Sequence, residues 1–416
     1  MQRISALALL LLAASGTALA QTDPDLDALA LPGASPAPAQ KVRGWQLGVE
    51  GALEQTSDRA GGADHTGERL TLDLQVDQAI AEGLRGVFSD QLDVRWQDGR
   101  DTVNTLREAY LSWQPTPNRV LDLGRINARY GVGYGYNPTD FLRPGAVRSV
   151  TSIDPVTLKK NRMGAVMVRG QTLWNGGSLT ALFAPKIKSD LSEAPFNPDF
   201  GATNNRSRAL IAVSQQLSEH LTPQFLLFAE NGRAVQAGAN LTYLLGDALV
   251  AHAEWAGGNS ARQIDLAMDR DINRSFHSRW STGLTYATAY KLTVTGEYQY
   301  NGAAPDSTQW AALPAMNSVS YIRYRQWLRN SQDLATRQTA FLYASLQDAL
   351  INRLDLNAML RKNIDDHSRL SWLEARYHWD KVDLALQWQH NHGTPLSEFG
   401  ALPQRHSIQA LVRYFY

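Results

Sequence analysis

The sequence predicts an all-β chain: a transmembrane antiparallel β-barrel of about eighteen strands, with sixteen as the alternative. Three observations carry that class. Apolar and polar residues alternate with period 2 from Gly44 onward, the connections alternate between short and long, and the prolines avoid strand centres. Composition agrees. The 416 residues hold 40 Lys+Arg against 40 Asp+Glu, so no electrostatic footprint for nucleic acid exists, and 44% hydrophobic residues is too many for a disordered chain. The absence of Cys removes disulfide frameworks, Cys-ligated zinc, iron–sulfur clusters and thiol catalysis.

The N-terminus comes first. Met1-Gln2-Arg3, an apolar run from Ala6 to Ala14 and a closing Ala18-Leu19-Ala20 form a secretory signal cleaved near Ala20. The run is shorter than the ~20 residues of a spanning helix. Residues 21–43 carry Pro24, Pro32, Pro36 and Pro38 among Ala, Asp and Gln, and read as a disordered periplasmic tail. The barrel is then 44–416.

The strands follow from periodicity. Leu70, Leu72, Leu74 and Val76 oppose Arg69, Thr71, Asp73, Gln75 and Asp77, and the same pattern recurs at 291–301, 353–361 and 381–389. Candidate strands lie near 44–56, 66–80, 84–97, 104–114, 118–129, 163–174, 177–187, 206–217, 221–230, 234–245, 248–257, 276–288, 290–301, 338–347, 353–363, 368–379, 381–391 and 404–416. A soluble sandwich alternates too; the spacing separates them. Short links (81–83, 115–117, 175–176, 218–220, 246–247, 380) alternate strictly with long ones (130–162, 188–205, 258–275, 302–337, 392–403), as short periplasmic turns alternate with extracellular loops. All thirteen prolines after the tail fall in connections or at strand ends, where a missing N–H is tolerated.

The chain ends with Ile408, Ala410, Val412, Tyr414 and Tyr416 alternating with Ser407, Gln409, Leu411, Arg413 and Phe415. This resembles the C-terminal assembly signature of Gram-negative outer-membrane barrels, with Tyr where the pattern most often has Phe. The resemblance implies outer-membrane lipid and the barrel-assembly machinery as partners.

On the faces away from lipid, nine cations (Arg69, Arg95, Arg279, Lys291, Arg353, Arg361, Arg376, Lys381, Arg413) meet nine acids (Asp73, Asp77, Asp93, Glu108, Glu254, Glu297, Asp355, Glu374, Asp383). Such a lumen is charged but balanced in sign.

The segment 130–162 is the most distinctive. Gly124-Arg125, Arg129, the glycine–aromatic run Tyr130 to Tyr136, Asn137-Pro-Thr-Asp140, Arg143, Arg148, Asp154-Pro155 and Lys159-Lys160 follow one another. These elements look like a region shared by outer-membrane barrel families of the porin and alginate-export-like kind, over about forty residues. The resemblance implies export or passage through a gated barrel, with periplasmic export components among the implied partners; the balanced lumen departs from the arginine-rich conduit of an alginate exporter. The expectation is a loop folded inward that narrows the pore, with Arg125, Arg129, Asn137, Asp140, Arg143, Arg148, Asp154, Lys159 and Lys160 as constriction candidates.

Other sites are weaker. Asp269, Asp271 and Asn273 open like a calcium loop, but Arg274 and Trp280 stand at the glycine and acid positions. His390 and His392 lack a third ligand and read as rim residues. No Gly-x-Ser-x-Gly turn occurs. The sequence therefore points to a channel or export conduit for a polar solute or polymer, without catalytic residues, metal or cofactor. A plugged accessory barrel and a barrel hydrolase are the alternatives.

Overall fold

A computed structural model describes residues 44–59, 64–96, 100–187, 194–316 and 318–416; the signal peptide and tail expected at 1–43 lie outside them. Eighteen strands follow in order: β1 (Trp45–Asp58), β2 (His65–Ala81), β3 (Leu84–Trp96), β4 (Arg100–Thr116), β5 (Arg119–Ile126), β6 (Ala165–Trp174), β7 (Gly177–Ala184), β8 (Arg208–Gln215), β9 (Gln224–Glu230), β10 (Gln236–Leu244), β11 (Leu249–Ser260), β12 (Ser275–Ala287), β13 (Leu292–Asn301), β14 (Gln338–Leu346), β15 (Leu354–Asn363), β16 (Arg369–His378), β17 (Val382–His392) and β18 (Gln404–Phe415). Each pairs antiparallel with its neighbours in sequence, and β18 pairs with β1 from Gly48↔Phe415 to Asp58↔Gln404, so the sheet closes without an edge. The fold class and the strand number of eighteen are those the periodicity predicts.

One end carries short links such as 175–176 and 245–248; the other carries the connections numbered here L1 to L9 in chain order, among them L3 (127–164), L4 (185–207), L6 (261–274), L7 (302–337) and L9 (393–403). The alternation is looser than the sequence reading held. At the short end 216–223 is long, and at the long end β9 to β10 needs only 231–235 and β15 to β16 only 364–368. Two neighbouring strands can be joined tightly at either end, so link length follows what the loop does rather than which end it occupies. The loops also contain helices: α1 (Pro155–Lys160), α2 (Phe200–Thr203), α3 (Gln263–Ala267), α4 (Ser307–Met316) and α5 (Ser318–Ser331).

The wall is apolar outside. On β7, Leu179 and Phe183 are exposed whereas Thr180, Leu182 and Ala184 point inward and are buried; on β18, Ile408 and Val412 are exposed, as is Tyr416 just past its end, while Leu411 is buried. Exposed aromatics gather in two belts, Trp113, Trp174, Tyr243 and Tyr286 near the short end and Trp96, Phe276, Trp280 and Tyr298 toward the loops. An apolar band between aromatic girdles is the surface a lipid bilayer requires. No helix among the described residues is long and apolar enough to cross a membrane.

The interior is uneven. Inward-facing Met167, Leu182, Leu210, Ala212, Leu226 and Phe228 of β6–β9 form an apolar core with Phe141 and Leu142 of L3. Phe141 stacks on Phe228 with ring centroids 4.7 Å apart at 3°. The opposite wall, β16–β18 and β1–β4, is polar. Three of the expected lumen cations are not there: Lys291 and Arg353 lie in short-end links at positive φ, and Lys381 sits in the link before β17. Lys291 pairs with Asp348 and Arg353 with Asp380. The apolar–polar alternation of the sequence runs one or two residues past the last ladder bond, where a side chain no longer has an inward face.

Candidate functional site

L3 leaves the wall at β5, crosses the barrel interior and returns at β6. Its glycine–aromatic run is held in large part through its backbone. Val132 N and Gly133 N donate to Glu254 Oε2 on β11 at 2.9 and 3.0 Å, and Thr139 N and Oγ1 donate to Oε1 at 2.8 and 2.7 Å. Asn137 Nδ2 adds a bond to Glu254 Oε2 at 3.1 Å. On β13, Glu297 accepts from Tyr134 N, from Gly135 N at 2.9 Å and from Gln299 Nε2 at 2.9 Å, with His252 Nε2 at 3.0 Å. Successive N–H groups cupping a carboxylate form an anion-binding nest, and here the anion is the protein's own.

The glycines are required by that approach. A Cβ on Gly131 would lie 2.6 Å from a Glu254 carboxylate oxygen, and one on Gly135 2.7 Å from Gln299 Nε2 and from the Phe341 ring. Gly135→Ala is therefore expected to lower the temperature at which the folded barrel loses its fast mobility on SDS gels, by an amount corresponding to about 1–3 kcal/mol. Gly51→Ala in β1, where a Cβ meets nothing within 4 Å, is the neutral control; equal behaviour of the two variants would contradict the close approach.

The structure brings together most of the residues the sequence singles out, as anchors of L3. Asp140 is buried and meets Arg162 at 2.6 Å. Arg143 donates to Asn137 O at 3.0 Å and to Ser331 O at the end of α5 at 3.3 Å, lies 3.7 Å from Asp333, and covers the Tyr136 ring at 5.1 Å. Tyr136 OH donates to Asp333 at 2.6 Å. Burial pushes the Tyr136 phenol up; it also opposes the Asp333 charge, but Arg143 and Arg279 prevail and hold that carboxyl below its ordinary value. The Asp333 tie therefore contributes above the ordinary carboxylate pKa of about 3.9 and is lost only as pH falls below it. Arg148 pairs with Asp199 of L4 at 3.2 Å and donates to Asn197 O at 2.9 Å. Asp154 caps α1, accepting from Thr157 N at 2.9 Å. Lys159 donates to Gly133 O at 2.9 Å, and burial lowers its ammonium. Arg125 is buried in β5 and bonds Leu106 O at 3.2 Å and Pro198 O. Lys160 lies within electrostatic reach of Asp73. Arg129, by contrast, is exposed at the start of L3.

L7 and L9 close over this assembly. Trp310, Leu313, Tyr321 and Tyr324 of α4 and α5 form their own apolar cluster, with Ile264 of α3 packed against it. Gly145 N donates to Asn330 O at 2.8 Å, and Arg325 bonds Ser397 O and Glu398 O of L9.

A corridor remains on the far side. Between residues 150–153 of L3 and the wall, a cavity of 370 Å³ is lined by Glu54, Thr56, Arg69, Arg95, Gln387 and Gln409, among others. Arg95 reaches across to Ser149 Oγ at 2.7 Å and Val150 O at 2.8 Å. Below it lies a buried charge network in which the lumen residues Asp73, Arg69 and Arg413 named from the sequence are joined by two that sequence reasoning missed, Arg107 and Glu50: Asp73 is held by Arg107 and by Arg413 at 2.8 Å, and Arg69 by Glu50 at 2.9 Å. Arg107 escaped because the β3–β4 register shifts between Ser89 and Asp90, so Glu108 opposes Ser89 and Leu106 opposes Asp90. The extra residue is Arg107, and the bulge turns it inward against the period.

No protein-family model matches this chain, and no curated protein sequence matches it. Solved structures do. The chain is similar to OccK5 (OpdH) of Pseudomonas aeruginosa at TM-score 0.57 and 10% identity, covering 89% of this chain and 97% of that one. It is similar to OccAB1 of Acinetobacter baumannii at 0.56 and 10%, covering 89% and 96%. OccK2 (OpdF) of Pseudomonas aeruginosa, solved in complex with glucuronate, gives 0.53 and 10%, covering 89% and 97%. These are outer-membrane porins, and the shared property is the closed eighteen-stranded barrel.

Proposed function

We propose that the protein is a Gram-negative outer-membrane channel for small polar solutes, working without catalytic residues or cofactor, in which L3 narrows the pore to one side. The observation that carries the reading is the interior asymmetry. An apolar core and two carboxylate nests fix L3 against β6–β13, while the wall of β16–β18 and β1–β3 stays polar and separated from residues 150–153 by open volume. A barrel of this strand number without an internal loop would leave a wide aqueous channel. The lining of glutamines with Glu54, Arg69 and Arg95 suits hydroxylated or charged small molecules such as the sugar acid bound by the similar OccK2, and its volume lies in the ordinary ligand range of roughly 300–1,000 Å³. The signal at 1–20 delivers the chain, and the outward alternation from Ile408 to Tyr416 in the closing strand serves the assembly machinery.

The test is planar-bilayer recording. The parent should give small, steady channels, and deletion of residues 134–158 should raise single-channel conductance severalfold. The ties among L3, L7 and L9 favour one other reading, a plugged accessory barrel. That reading predicts no parent conductance, with current appearing only after the deletion. Unchanged conductance in a deletion variant that still assembles would place L3 outside the conducting path.

A further inference from the structure

Outside the lumen, the most unusual surface is on the outer face of β15–β18 next to the loops. Residues there that point away from the barrel are Lys362, Arg369, His392, His390 and His406, immediately above the exposed apolar band of Leu360, Leu373 and Ile408. The ladder sets them side by side: Lys362 opposite Arg369, Arg369 opposite His392, and His390 opposite His406. The imidazoles lie face to face, with His390 centroids 6.3 Å from His392 and 6.4 Å from His406, and His390 stacks on Trp388 at 5.8 Å. Stacked rings do not converge their in-plane nitrogens on one ion, and no metal-holding group occurs among the described residues.

The charge is one-sided. No carboxylate points outward from the loop-side halves of these four strands. Asp365, in the link after β15, accepts from Gln338 N at 2.8 Å, and Asp366 accepts from Ser368 N at 2.8 Å and from Glu398 N. Arg405 is exposed beside His406, while Arg59 is engaged with carbonyls of L9. On β11–β13 the same border is occupied by Phe276, Trp280, Tyr298 and Trp255, which carry no charge. A sector of cations at the upper border of a lipid-facing surface repels itself unless an anion sits among its members.

We propose that this sector binds the phosphate groups of a phosphorylated glycolipid in the outer leaflet. The inference rests on the outer-membrane reading above, since only there does the border of the apolar band meet lipid headgroups. Lys362 and Arg369 supply permanent charge, and the stacked rings of His390, His392 and His406 adjoin them along the same border.

The experiment uses the folded protein in detergent micelles, checked by its heat-modifiable mobility, and titrates bisphosphorylated lipid A and its dephosphorylated form. The parent should bind the phosphorylated lipid about tenfold or more tightly than Lys362→Gln/Arg369→Gln. Equal binding by parent and the Lys362/Arg369 variant, or by the two lipids, would overturn the proposal. Full competition by inorganic phosphate at the lipid's own concentration would overturn it too, making the site one for a soluble anion. The two readings fail separately: normal conductance without lipid binding removes this site alone, and lipid binding by a non-conducting barrel removes only the channel.

Discussion

Glu254→Ala combined with Glu297→Ala is expected to free L3 from the wall and to convert steady channels into larger, noisier ones. Each carboxylate is buried and accepts several bonds from L3 or its own strand neighbours, so its loss strands N–H groups of Val132, Gly133, Tyr134 and Gly135 inside the barrel. Charged hydrogen bonds of this kind contribute about 1.5–3 kcal/mol each, and the stranded donors add a further penalty. The apolar anchor at Phe141 and Leu142 remains, which is why the loop should fluctuate rather than leave. Glu254→Gln keeps one acceptor oxygen and should show a smaller change. Single-channel recording measures both quantities. A double variant that assembles and conducts like the parent would mean that L3 does not stand in the path.

The second large effect concerns stability. Arg107 has 1% side-chain exposure and binds Asp73 at the β4 bulge, with further bonds to Gln91 and to Asn161 of L3. Replacing it by Met leaves a buried carboxylate with Arg413 as its remaining ion-pair partner and Gln75 as a long amide donor, and breaking such a pair costs about 3–5 kcal/mol. Arg413 is more exposed, at 25%, so Arg413→Met should cost less. Membrane barrels unfold irreversibly when heated, so the readout is the temperature at which the fast-migrating form disappears at a fixed heating time. Arg107→Met should shift it well below Arg413→Met; the reverse order would contradict the network.

The legible part of the fold was the part governed by period. β2, β13, β15 and β17 bury one polar face and expose one apolar face, and a slip of one residue would exchange them, so the pattern specifies both strand and orientation. β8 and β9 read differently. Leu210-Ile211-Ala212-Val213 and Phe225-Leu226-Leu227-Phe228 are apolar on both faces because one faces lipid and the other faces L3. That doubling marks where a loop packs inside, a signal present in the sequence and readable only once a filled lumen is considered. The Tyr321, Tyr324 and Leu328 spacing of α5 is likewise a helical stripe within a segment that loop length alone had claimed. The Tyr130–Tyr136 run marks the segment that folds inward, but its partners do not follow from the sequence: backbone amides of the run take Glu254 and Glu297, while Arg143, Arg148 and Arg162 serve L7, L4 and L3 itself. Amides carry no residue letter, so this pairing leaves no trace in composition.

The chain has no cysteine, and that permits the most direct measurement of where solute passes. A single Cys at Gln409, in the corridor, and a single Cys at Leu210, in the apolar core under L3, can each be treated with a charged methanethiosulfonate during bilayer recording. The account predicts a stepwise fall in current for Gln409→Cys and none for Leu210→Cys. Block at Leu210→Cys, with Gln409→Cys unaffected, would contradict it and put the path on the side assigned here to the loop anchor.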